Sequence, residues 1–431
     1  MNKKELIGKP PAVPHRSWIK KLGPGLITGA ADDDPSGIAT YSQAGAQFGF
    51  NTLWTLFFTF PLMVGIQIIS AKIGRVSGHG LATNIRSNYP WPFLYGIVAL
   101  LMFANTINIA ADIAAMGTAL KLLIGGSSQF YAVGFGLVSL LLQVFIPYKR
   151  YVRVLKWLTL VLLAYVGIVF AVHIPWGQVV RQTVWPNMSW KPEYITMVVA
   201  IFGTTISPYL FFWQASQEVE DMEADPKSQT LLDAPDQARA NFTRIKIDTI
   251  VGMGISNLIA FFIMLTTAVT LNMHGTTDIQ SSAQAAGALR PIAGEFAFWL
   301  FSAGIIGTGM LAIPVLAGSA AYAVAGTFKW RNSLAAKPEA NKAFYSIISA
   351  ATLLGVLIGF APIDPIKALF WSAVVNGVIA VPVMFIMMLM ASHKEIMGSF
   401  VIHPGLRVLG WSCTIAMVFV VIGMLWGMFS V

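Results

Sequence analysis

The sequence predicts an all-α polytopic membrane protein with 11 transmembrane helices, arranged as two inverted five-helix repeats in which helices 1 and 6 are broken. Three observations lead there: an apolar composition, recurring apolar runs of crossing length, and two proline breaks five runs apart. Of 431 residues, 56% are hydrophobic and 11% charged, and the mean hydropathy is +0.68. A soluble chain this apolar lacks the polar residues to cover its surface.

A helix needs roughly 20 apolar residues to cross a bilayer, and such runs lie at 19–45, 50–73, 91–122, 129–147, 152–173, 194–216, 245–272, 295–325, 343–361, 366–391 and 405–430. The first carries Asp34 at its middle, directly before Pro35-Ser36-Gly37, a sequence that interrupts a continuous helix. The third carries Asn105, Asn108 and Asp112, spaced three and four apart on one face that points into the bundle. In the sixth, Thr204-Thr205-Ile206-Ser207-Pro208-Tyr209 repeats the pattern of a polar residue followed by proline. Gly304 to Gly318 in the eighth suits close helix packing. The tenth holds Asn376-Gly377 and Pro382, and its Met384 to Met390 stretch reads as a lipid or core face. The eleventh contains the single cysteine, Cys413, which rules out an intrachain disulfide and reads as a small apolar side chain.

Five crossings reverse the membrane orientation, so residues 19–173 and 194–391 form the two repeats, and 405–430 is an accessory helix. Residues 1–18 are a polar, basic tail with no cleavable signal peptide expected. Alternate connections carry most of the basic residues, Lys72, Arg75, Arg86, Lys149, Arg150, Lys246, Lys329 and Lys394 among them. The positive-inside rule therefore puts the N-terminus in the cytoplasm and Val431 outside a cell membrane crossed many times. The formal charge of +9 reflects this topology and requires no nucleic-acid partner. The acidic stretch within 217–244 (Glu218, Glu220, Asp221, Glu223, Asp225, Asp233 and Asp236) reads as a wet cytoplasmic loop, with a cation-attracting vestibule as the other reading.

A carboxylate at bilayer depth costs several kcal/mol and is kept for ion or substrate pathways. Irregular backbone is tolerated there only inside protein or beside a water-filled cavity. The pair of breaks thus points to a midplane transport site worked by alternating access. Catalysis has no support. The six histidines fall in connections, the tail or a span end, and P-loop, dinucleotide and His-Glu-x-x-His signatures are absent. No cofactor and no obligate protein partner are expected; the partners are a small inorganic ion, the bilayer and a coupling proton or other cation.

Gly23-Pro24-Gly25-Leu26 followed by Asp34-Pro35-Ser36-Gly37 resembles the first span of the Nramp metal transporters, which reads Asp-Pro-Gly-Asn. Ser70-Ala71-Lys72-Ile73-Gly74-Arg75 resembles the end of that family's second span, Ala111-Asp112-Ile113-Ala114 its third, and Ile247-Asp248-Thr249 with Ser256-Asn257 its seventh. The resemblance implies a fold of the amino-acid-transporter type. It also implies a substrate site at Asp34, Gly37, Ala31, Thr204, Ser207, Tyr209 and Asn376, and a proton or co-ion route through Asp34, Asp112 and Asp33. The departures are specific. Gly37 stands where the family has its metal-binding Asn, Ser207 where it has a Met, Tyr209 and Gln214 where it has His, and Ala115 where its third span has a Glu. A soft thioether ligand is gone.

Backbone N–H groups bared at Gly37, with the hydroxyls of Ser207, Thr204 and Tyr209, favour a small oxyanion at a half-helix N-terminus. That pocket resembles what a bicarbonate-carrying branch of the Nramp superfamily would show. The alternative is a hard divalent cation, Mg²⁺ or Mn²⁺, held by Asp34 with Asp32 and Asp33 nearby and moved with protons.

Overall fold

The computed structural model describes residues 24–147, 150, 159–361 and 364–429, so the N-terminal tail, the start of the first expected span and the start of the fifth lie outside the described residues. Those described are helical, with no strand among them. In chain order they form α1 (Pro24–Asp32), α2 (Pro35–Phe48), α3 (Trp54–Ser77), α4 (Leu81–Asn88), α5 (Trp91–Ile124), α6 (Ser128–Phe145), α7 (Leu163–Ala171), α8 (Trp176–Val184), α9 (Pro192–Thr205) and α10 (Pro208–Glu223). They continue with α11 (Ala238–Thr270), α12 (Ala297–Phe328), α13 (Lys342–Ile358), α14 (Pro365–Ser392) and α15 (Pro404–Phe429), with short helical turns in the connections.

Among the described residues, 8 helices are long and apolar enough to cross a membrane: α3, α5, α6, the α9–α10 pair, α11, α12, α14 and α15. The first expected span is split into α1 and α2, each too short to cross alone, and α13 has 17 residues.

Both expected breaks are present, and the chemistry of proline explains their form. Pro35 and Pro208 each sit at the first position of a new helix, where the missing N–H is not needed. The preceding residue is pushed to extended backbone in each case: Asp34 at φ −69°, ψ 170° and Ser207 at φ −77°, ψ 129°. Proline alone does not dictate this, because Pro61, Pro314 and Pro382 lie inside the unbroken helices α3, α12 and α14.

The half-helices α1 and α2 lie against α11, α10 against α3 and α12, α9 against α14, and α5 against α12, α13 and α14. The α1–α11 crossing is close because Gly29 faces the backbone of Gly252 with no room for a Cβ. Met384, Met387, Met388 and Met390 are fully buried, so that stretch belongs to the core.

The acidic connection expected at 217–244 is shorter than the sequence reading allowed. Helix α10 continues to Glu223 and α11 begins at Ala238. The helix extends because two of its acids find partners inside the protein. Glu218, fully buried, pairs with Arg244, and Glu220 accepts the Tyr322 hydroxyl and the Leu334 N–H, each at 2.5 Å.

Candidate functional site

The site grows from the two breaks. Asp34 caps α2: its Oδ1 accepts the Ser36 hydroxyl and the Gly37 N–H, both at 2.7 Å. This satisfies an amide that a helix start leaves without an intrahelical partner. Its Oδ2 accepts Asn108 Nδ2 at 3.1 Å, and Asn108 Oδ1 shares the Ser372 hydroxyl with the Leu369 carbonyl, at 2.9 Å and 2.7 Å, so polar groups of α2, α5 and α14 meet. A carboxylate has about four lone-pair positions, and these contacts use three. The Ser36 backbone N–H also points at this carboxylate.

The second break meets the first directly. The Tyr209 hydroxyl donates to the Ala31 carbonyl at 3.0 Å, joining the start of α10 to the end of α1. Ser207 Oγ lies 2.9 Å from the carbonyls of Gly203 and Thr204, so its single proton stays within its own chain segment. At Gly37 a Cβ would stand 3.0 Å from Thr204 Oγ1 and 3.3 Å from the Asp32 carbonyl, which places two oxygens against the position a larger side chain would fill.

Asp32 and Asp33 turn toward α11, where the Ser256 hydroxyl lies 2.7 Å from Asp32 Oδ2 and 3.0 Å from Asp33 Oδ1. One hydroxyl proton serves two carboxylates, and Asp32 Oδ1 has no partner. Asp112, one turn beyond Asn108 on α5, is fully buried with neither oxygen partnered. Asn376, one turn beyond Ser372 on α14, is buried with both side-chain polar atoms unpartnered. Among the described residues no Lys, Arg or His pairs with Asp32, Asp33, Asp34 or Asp112. Burying unpaired charge is costly, and a bound proton or a cation relieves that cost equally. No group of three His, Cys, Asp or Glu side chains among the described residues is placed to hold a metal ion. Asp34 therefore stands as one carboxylate, contacted by the Ser36 hydroxyl, the Gly37 N–H and the Asn108 amide.

Of the expected site residues, the structure gathers Ala31, Asp34, Gly37, Thr204, Ser207 and Tyr209 at the breaks. Asn376 shares the Ser372 face of α14, and Asp33 is drawn to α11. Three of the donors expected to greet an oxyanion bond within the protein, the Gly37 N–H to Asp34, the Ser207 hydroxyl to carbonyls of its own segment and the Tyr209 hydroxyl to Ala31, whereas the Asn376 amide has no partner. The sequence reading missed Ser36, Ser372 and the pairing role of Ser256. The four-residue spacing of Ser372 and Asn376 carried the signal that singled out Asn108 and Asp112; a lone serine such as Ser256 carries none.

On the side of the basic connections, α1 is tied down. Asp248 accepts the N–H groups of Gly25 (2.7 Å) and Leu26 (3.1 Å), and Thr28 Oγ1 donates to Gln214 Oε1 at 2.5 Å.

The family model described as "Nramp: Natural resistance-associated macrophage protein-like" matches residues 25–427. The divalent metal cation transporter MntH of Klebsiella pneumoniae (strain 342) is 24% identical over 398 residues, covering 90% of each chain. MntH of Caldanaerobacter subterraneus subsp. tengcongensis is 24% identical over 409 residues, 92% of this chain and 90% of its own. A solved mutant of the Eremococcus coleocola manganese transporter superposes with a TM-score of 0.74 at 16% identity, covering 98% of this chain and 90% of that one.

Proposed function

Since the chain belongs to the Nramp family, we propose that it is a secondary transporter that carries a hard divalent cation, Mg²⁺ or Mn²⁺, by alternating access around the two helix breaks. The observation that carries this reading is the set of buried carboxylates without a paired cation, Asp34 foremost, at the point where the breaks touch. Relatives named as divalent metal cation transporters support the same choice.

The donor set argues for hardness. Asp34 supplies one carboxylate, Ser207 an oxygen where the family has sulfur, and the Ala31 carbonyl and Thr204 lie beside them. A small cation that keeps several of its waters suits so few protein ligands, whereas soft metals lose their thioether. An oxyanion would meet carboxylates and find the Gly37, Ser207 and Tyr209 donors already bonded, so bicarbonate stands as the outcome that would displace this reading.

Asp34 and Tyr209 are buried, so exchange with either side requires the half-helices α1 and α10 to move against α3, α11 and α14. Asp112 is the group through which a co-transported proton or other cation acts. The breaks, five expected crossings apart, support two inverted five-helix repeats and 11 crossings, with α15 as the accessory helix and the N-terminus in the cytoplasm.

Calorimetric titration of the purified protein tests the site. Mg²⁺ or Mn²⁺ binds, Asp34→Asn removes that binding, and Gly37→Asn with Ser207→Met raises the preference for Cd²⁺ over Mg²⁺. Binding that survives Asp34→Asn unchanged would place the substrate elsewhere.

A further inference from the structure

We propose that the groove between α3, α11 and α15, on the side of the basic connections, binds an anionic glycerophospholipid, with an acyl chain along its apolar wall and the phosphate between Lys72 and Lys246. The groove encloses about 690 Å³, within the range of roughly 300–1,000 Å³ of small-molecule sites. Its wall is apolar, built by Ile68, Ile250 and Leu409 among others, and its basic members are Lys72, Lys246 and His403. A soluble anion would gain nothing from such a wall. A lipid uses both ends.

The two lysines are available. Lys72 is half-buried at the end of α3, and its ammonium stands 4.3 Å from the centroid of the Phe242 ring, which steadies the head while the stem lies along the groove. Lys246 is exposed one turn beyond Phe242 on α11. Neither forms an ion pair among the described residues. Of the acids of this region, Glu218 is engaged by Arg244 and Asp248 by the first amides of α1, while Asp221 and Asp225 lie toward Arg75. Arg75, one turn beyond Lys72, is bonded to Ser228.

His403, at the start of α15, uses Nδ1 to accept the Leu406 N–H at 3.3 Å, which leaves Nε2 free to donate to a headgroup oxygen. Ile247 and Ile250 are 50% and 37% exposed, so the α11 side of the groove opens toward lipid. Unpaired ammonium groups beside an apolar wall between membrane helices are the arrangement that recognises anionic headgroups.

The test is native mass spectrometry of the purified full-length protein titrated with phosphatidylglycerol or phosphatidylcholine of identical acyl chains. Each lysine contributes about fivefold and the pair about twenty-fivefold of preference for phosphatidylglycerol. Lys72→Gln with Lys246→Gln brings the two lipids to equal binding. Lys246→Gln alone, on an exposed side chain that folding does not need, loses about fivefold. Ile250→Trp, which fills the wall, weakens both lipids together. Equal binding of the two lipids by the unaltered protein, or an undiminished preference after Lys246→Gln, overturns the proposal.

Discussion

At the scale of single residues, Asp34 caps α2, and on the proposed reading its carboxylate also meets the substrate. Asn keeps the Oδ1 cap of α2 but turns an amide donor toward Asn108 Nδ2, so Asp34→Asn should lower stability by about 1 kcal/mol while cation binding is lost. Asp34→Ala, which also removes the cap, should cost about 1 kcal/mol more in a denaturation midpoint. Asp112 is the contrasting case. It is buried with both oxygens unpartnered, so Asp112→Asn should leave the midpoint unchanged or raise it, by up to about 1–3 kcal/mol, while uptake falls. A clear loss of stability would make Asp112 a structural hub instead. That Asp34 and Ser207 stand at helix breaks was legible in the sequence because each directly precedes a proline inside an apolar run, with Gly37 two residues past Pro35. Their hydrogen-bond partners were not. Whether the Gly37 amide faces a ligand or its own cap depends on a side-chain rotamer, and periodicity does not encode one.

At the scale of elements, the breaks in the first and sixth spans were readable, since a polar residue before proline supplies both the interruption and the new helix start. The length of α10 was not. Seven acids read as wet loop, yet Glu218 and Glu220 extend the helix by reaching Arg244 and Tyr322, partners far away in sequence. Glu218→Gln should therefore be costly, up to about 3 kcal/mol, because it strands Arg244 in a partly buried position; chemical denaturation measures it. Asp248 holds the start of α1 through two amides. Asp248→Ala should loosen that half-helix and speed thiol labelling of Ala31→Cys from the side of the basic connections, in a Cys413→Ala background that removes the single native cysteine. An unchanged labelling rate would mean that α1 does not move in the cycle.

At the scale of the whole molecule, composition announced a membrane protein and the recurrence of apolar runs located its helices; Nramp membership rests on motifs spread from Gly23 to Asn257 and on a match over residues 25–427. Substrate choice was the part least legible, because losing two family ligands at Gly37 and Ser207 fits either an anion or a harder cation. The proposed reading takes the cation because the Gly37, Ser207 and Tyr209 donors bond within the protein while carboxylates remain without a paired cation. The most direct measurement is ion flux into liposomes containing the purified protein, with Mg²⁺, Mn²⁺ and labelled bicarbonate offered in parallel to the unaltered chain and to Asp34→Asn. The account predicts saturable divalent-cation uptake that disappears in Asp34→Asn, with no bicarbonate entry above protein-free liposomes; saturable bicarbonate uptake without any divalent flux would contradict it.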